Sequence, residues 1–232
     1  MLTLAWSGIV KNVYVVLALG FFGASALTIY LFVMNETLTE TRSLTKYMLR
    51  LLGISILSAF PYFMIFRDLT AKFSFGDYLS FPFTIFFCVG VITVLDKIKS
   101  QGIRIFVFII MCVFAMFIKV EFAPFTLILA YMIHFYEDKP RYRNFNIIMF
   151  FSCVFICAVL FYVLKTGFKT TELMQTATLL GVILPLPLLK NYDGEFCKNE
   201  TKAKKAIFKW SGYASYLLLV VVLALIKYYL VK

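Results

Sequence analysis

Eight apolar runs divide the chain, and short polar or charged intervals separate them. The first extends from Val13 to Met34 without a charged residue. At about 1.5 Å per residue it is long enough to cross a hydrocarbon layer roughly 30 Å thick. Further runs occupy residues 48–66, 78–95, 103–118, 122–136, 145–164, 173–189 and 210–230. The fifth, Phe122–Tyr136, is too short to cross upright, and reads as partly re-entrant or shielded by its neighbours. Gly20, Gly23, Ala24, Ser25 and Ala26 give the first run a surface for close helix packing. Pro61 sits deep in the second run. It predicts a kink there, with Ser58 near the freed backbone groups. Residues 1–12 are apolar but short and interrupted by Lys11. They read as the frayed start of the first span or the remnant of another, and lack the basic start and cleavage site of a signal peptide. None of the runs shows the two-residue alternation of a transmembrane strand. The expectation is an all-α, polytopic integral membrane bundle of about seven or eight transmembrane helices, forming a single domain over residues 1–232.

Composition agrees with that pattern. Of 232 residues, 62% are apolar and 15% charged, with mean hydropathy +0.89; soluble domains carry about a quarter charged residues. The net charge of +11 does not point to nucleic acid, because the cations lie in the intervals between spans, where they act as topology determinants. The intervals after the first, third, fifth and seventh spans hold most of the 23 Lys and Arg. The positive-inside rule then places the interval after the first span in the cytoplasm, with both termini outside. Cys88, Cys112, Cys153 and Cys157 fall inside apolar runs and read as packing residues. With one histidine in the chain, neither a metal centre nor a Ser-His-Asp triad is expected. No phosphate-binding loop, nucleophile elbow or dinucleotide fingerprint is present.

Candidate chemistry concentrates in the stretch Asn35–Tyr62. Glu36, Glu40, Arg42, Lys46 and Arg50 recur there at steps of four or near it. On one continuous helix Arg42, Lys46 and Arg50 would share a face. Such a cluster is either a solvated cytoplasmic anchor or the polar entrance for a charged substrate, its cations meeting phosphate groups. His134 lies three residues before Glu137. It is either an interfacial residue or a general base and proton carrier. Glu121, close to Lys119, reads as an ion-pair or interfacial anchor. Asn191-Tyr192-Asp193-Gly194 has strong turn chemistry.

The block Glu36…Glu40-Thr41-Arg42…Lys46-Tyr47-Met48-Leu49-Arg50-Leu51-Leu52…Ser58-Ala59-Phe60-Pro61-Tyr62 resembles the TraX family of membrane proteins, named for an enzyme that N-acetylates conjugative pilin subunits. Two weaker echoes follow in order, Glu121-Phe122-Ala123 and Tyr192-Asp193-Gly194. The resemblance implies a membrane acetyltransferase of the bacterial cytoplasmic membrane, with acetyl-CoA as donor and a pilin or other peptide or amine as acceptor. It implies a catalytic role for Glu36, donor contacts from Arg42, Lys46 and Arg50, and acceptor contacts from Glu40, Glu121, Tyr192 and Asp193; His134, the sole histidine, is the second catalytic candidate on its own chemistry. The chain also departs from the family pattern. Ala5-Trp6-Ser7-Gly8 stands where an Asp-His-Ile-Gly is usual, Ala24 where an Arg is expected, and Tyr216-Leu217-Leu218 where the last helix usually carries a Pro and a His. Those departures imply the alternative, a non-catalytic scaffold or accessory protein of a conjugation, secretion or peptide-export system. A small-solute transporter is a third reading, but no paired intramembrane charges support it.

Overall fold

The computed structural model describes residues 13–41, 43–66, 80–118, 120, 124–166, 177–190 and 202–230. The described elements are helical: α1 (Val13–Glu40), α2 (Leu44–Phe66), α3 (Phe81–Asp96), α4 (Gln101–Ile118), α5 (Phe125–Phe135), α6 (Pro140–Thr166), a 3₁₀ segment (Thr178–Ile183), α7 (Leu186–Lys190) and α8 (Lys202–Leu230). Four of them contain stretches long and apolar enough to cross a membrane: Leu17–Thr39, Leu44–Ile65, Gln101–Ile118 and Pro140–Phe161. Shorter apolar helices account for the other runs. The protein is an all-α membrane bundle. Along α4 only Ala115 is buried, while Phe106, Ile109, Val113 and Phe117 are exposed. A helix apolar on its exposed face has a stable place in lipid rather than in water.

Two elements differ from the sequence pattern. The first apolar run stops at Met34, yet α1 continues through Glu40. Its 28 residues span about 42 Å at the helical rise, more than the hydrocarbon thickness, so its polar last turns can continue beyond the apolar layer. The seventh run, expected as one helix over 173–189, is over its described residues a 3₁₀ segment followed by the short α7. Pro185 cannot donate to the carbonyl of Gly181 four residues earlier, and that lost bond breaks the α-helical ladder.

The described residues gather into two compact units, each discontinuous in sequence. The first combines the chain up to Glu36 with Leu129–Asn191. Within it, α1 supplies hydroxyl donors to two carbonyls of the 3₁₀ segment, one of them Val182, whose own donor would have been Pro185. The Ser25 hydroxyl donates to the Gly181 carbonyl (2.8 Å), and the Thr28 hydroxyl to the Val182 carbonyl (2.9 Å). Such approach requires no side chain at residue 181: a Cβ there would lie 2.2 Å from the Phe21 carbonyl oxygen. Leu31, Met34, Ile133, Ile147, Phe151 and Val182 are buried in this unit.

The second unit comprises Thr37–Ile128 and Tyr192–Lys232, with α2 packed against α3 and α8. Ser58 on α2 and Ser80 at the N-cap of α3 pair their hydroxyls at 2.8 Å, both fully buried. Lys227 on α8 donates from Nζ to the Ile65 carbonyl at 2.7 Å, one of the orphan acceptors at the end of α2. Helix α2 runs through Pro61 without interruption. The Ser58 hydroxyl also donates to the Ile54 carbonyl at 2.8 Å, the back-bonding that lets a helix hold a polar side chain in an apolar setting.

Candidate functional site

The polar residues that meet in the first unit come from three elements. Asn35 lies near the end of α1, one turn after Phe32, so the two share a helix face. His134 occupies the last turn of α5. Glu137 lies in the turn that follows, and Arg143 in the first turns of α6. The tight connection between α5 and α6, Tyr136–Lys139, is closed by backbone bonds from Glu137 to His134 (3.3 Å) and from Lys139 to Tyr136 (3.1 Å). Pro140 then opens α6, where a missing N–H costs nothing. This turn brings His134 and Glu137 back towards Asn35.

Asn35 is 2% exposed, and its amide is used at both ends. Its Nδ2 donates to Glu137 Oε2 at 2.9 Å. Its Oδ1 lies 2.5 Å from His134 Nδ1. Because the amide nitrogen faces the carboxylate, its oxygen must face the ring, and an oxygen accepts only from a protonated nitrogen. The contact therefore fixes the proton on Nδ1 and the basic lone pair of the neutral ring on Nε2. Phe135 stacks edge-on to the imidazole at 4.9 Å and 88°, which further limits ring rotation. A carboxylate orients an amide, and the amide orients an imidazole; this is how an orienting group prepares a histidine for proton transfer.

Arg143 completes the cluster. It is 4% exposed, and its guanidinium lies over the Phe32 ring at 5.3 Å. The Nε hydrogen bond to Asn144 Oδ1 is long, 3.4 Å, and Asn144 also reaches the Leu186 carbonyl at 3.4 Å. Glu137 attracts the guanidinium electrostatically, but the two form no close ion pair.

The residues singled out from the sequence are distributed unevenly. His134 is at the centre of the cluster. Glu36 is half-buried in the same unit, next to Asn35 on α1; the carboxylate that receives the Asn35 amide is that of Glu137. Glu40 ends α1, and its side chain lies outside the described residues. Lys46 and Arg50 share a face of α2 in the second unit, where Lys46 is exposed and Arg50 folds back, its Nε donating to the Lys46 carbonyl at 3.0 Å. Thr41 and Ser43 are non-helical and α2 begins at Leu44, so of the three cations Lys46 and Arg50 lie on it among the described residues. The Ser43 carbonyl accepts the first bond of α2, from the Tyr47 N–H at 3.3 Å, as the carbonyl of an N-cap residue does. Arg42, Glu121, Tyr192 and Asp193 lie outside the described residues, and no group of three metal-ligating side chains occurs among the described ones.

Asn35, Glu137 and Arg143 carry the geometry but were not among the residues expected to do chemistry. Asn35 stands out only as the first polar residue after an uncharged run, and in a glycosylation-type triplet. Glu137 sits at the i+3 step from the sole histidine. Arg143 is hidden in the charged interval Glu137–Asn144, where its neighbours Lys139 and Arg141 are ordinary exposed cations.

A family model described as TraX protein matches residues 4–227, nearly the entire chain. No curated protein and no solved structure matches it.

Proposed function

The chain belongs to the TraX family, and from that premise we propose that it is a membrane acetyltransferase, moving an acetyl group from acetyl-CoA to an amine with His134 as the base. The observation that supports this reading is the Glu137–Asn35–His134 relay, which directs the basic nitrogen of the only histidine. Acetyl-CoA would supply the thioester carbonyl. The acceptor nitrogen forms the new C–N bond, the C–S bond breaks, and the amine proton passes to His134 Nε2 and on to the departing thiolate. Asn35 holds the ring through this exchange, and Glu137 holds Asn35. The relay offers a base in place of the His and Asp that the chain lacks in its first and last helices. The donor's phosphates fall to the loop-block cations Arg42, Lys46 and Arg50, a proposal independent of the His134 geometry. Glu36, Glu40, Glu121, Tyr192 and Asp193 are proposed on the acceptor side, with a pilin-like or other peptide amine as acceptor and the bacterial cytoplasmic membrane as location.

The test is release of CoA thiol by the purified full-length chain in detergent, with acetyl-CoA and a synthetic peptide bearing a free N-terminus. General-base catalysis contributes about 10²–10⁴-fold, so His134→Gln should lose roughly that much while melting at the wild-type temperature. A His134→Gln rate equal to wild type removes His134 from the chemistry. A folded wild type that neither transfers nor hydrolyses acetyl-CoA leaves the scaffold reading, which the lost His and Asp positions favour.

A further inference from the structure

Arg143 is placed where a cation is poorly supported. It is 4% exposed, yet among the described residues its one hydrogen bond is the 3.4 Å contact from Nε to Asn144. A buried guanidinium normally has a carboxylate or several acceptors, because five N–H donors are costly to strip of water. Its position adds to the difficulty. The first turns of a helix carry the positive end of the macrodipole, which favours anions and disfavours cations, and α6 is a 27-residue helix. Lys139 and Arg141 lie on the same turn. The Phe32 ring face offers modest compensation, and Glu137 contributes at a distance while its Oε2 is committed to Asn35. Among the described residues no carboxylate forms a close pair with Arg143, and a local rule broken in this way is characteristic of functional sites.

We infer that Arg143 is the anchor for an oxyanion carried by the ligand of the His134 site, and that this site takes an amine that also bears a phosphate or carboxylate. The inference rests on the reading of His134 as a working base. Phe32, beneath the guanidinium, and Asn35, against the imidazole, are one helical turn apart, about 5–6 Å. The guanidinium and the imidazole therefore lie along the same side of α1. Charge complementarity fits a zwitterion: Glu137 attracts the ammonium, and the planar fork of Arg143 receives the oxyanion through two parallel bonds. A soluble molecule and a lipid headgroup at the membrane surface are two sources of such an amine; phosphoethanolamine carries the chemistry common to both.

The experiment is calorimetric titration of the full chain in a neutral detergent with inorganic phosphate and with phosphoethanolamine. Wild type, Arg143→Gln, Arg143→Lys and His134→Gln are compared. Hydrogen bonds to charged groups are worth about 1.5–3 kcal/mol, which at tenfold per 1.4 kcal/mol predicts a loss of about 10- to 100-fold for Arg143→Gln. Arg143→Lys, which keeps the charge but not the fork, should fall between. His134→Gln should change phosphate affinity less than twofold. Both Arg143 variants binding within twofold of wild type overturns the anchor, and the same result for the Lys variant suffices where the Gln variant does not fold. If neither soluble probe binds, melting in nanodiscs of phosphatidylethanolamine against phosphatidylcholine decides the source. An Arg143-dependent rise assigns the headgroup, and no rise overturns the inference. Arg143-dependent binding without any acetyl transfer leaves the anchor standing and removes the acetyltransferase reading.

Discussion

Replacing Asn35 with alanine tests the centre of the candidate site through an observable that is unusually direct here. The chain has a single histidine, so ¹⁵N-histidine labelling of the full-length protein in detergent reports one imidazole with no assignment problem. In the wild type the Asn35 oxygen faces His134 Nδ1 because the amide nitrogen is held by Glu137. The neutral ring should therefore carry its proton on Nδ1, with Nε2 showing the shift of an unprotonated nitrogen. A neutral hydrogen bond contributes about 0.5–1.5 kcal/mol net. Its removal should change the ratio of the two tautomers about two- to tenfold, at tenfold per 1.4 kcal/mol. The effect on stability combines that bond with the charge-assisted one to Glu137. Because Glu137 is exposed and water can replace the lost donor, the total cost should be about 1–2 kcal/mol. Asn35→Asp provides the contrast. It keeps an acceptor for Nδ1–H, so the tautomer should hold, but it sets a second carboxylate against Glu137 and should destabilise the protein at neutral pH. A wild-type spectrum dominated by the Nε2-protonated ring would refute the relay. So would identical spectra for wild type and Asn35→Ala.

Three further substitutions probe the packing that positions the site. Gly181→Ala places a methyl 2.2 Å from the Phe21 carbonyl oxygen; overpacking costs about 1–3 kcal/mol, and the upper end is expected because the obstructing atom is backbone, with a lower melting temperature as the readout. Lys227→Met removes the donor to the Ile65 carbonyl but keeps the stem, and denaturant titration should show a loss of about 1–2 kcal/mol, whereas Lys46→Met on an exposed position should be neutral. Ser58→Ala and Ser80→Ala should couple in a double-mutant cycle by about 0.6 kcal/mol, the mean for hydrogen bonds between membrane helices; zero coupling would mean that the 2.8 Å hydroxyl pair contributes nothing.

What the sequence could reveal depended on the range of the interactions involved. Hydrophobic runs are local, so each of the eight apolar segments became a helical element near its expected position. The break between α1 and α2 falls in the polar interval that separates the first two runs, but its exact place depends on which of several Ser and Thr residues precedes the helix, and α2 begins directly after Ser43. The seventh element illustrates a non-local cause. Pro185 makes a break possible, but the 3₁₀ conformation is accommodated because Ser25 and Thr28, more than 150 residues earlier, supply hydroxyls to its carbonyls. The site follows the same logic. His134 is conspicuous by its rarity, and its Glu137 neighbour is three residues away, yet an i+3 carboxylate alone does not say which ring nitrogen is basic. That information enters with Asn35, 99 residues before the histidine, whose two-ended amide transmits the polarity of the carboxylate to the ring. A buried asparagine amide is costly unless it finds partners. The burial of Asn35 at 2% is therefore sustained by both of its partners together, and losing either one would expose a polar group whose other contact could not hold it in place.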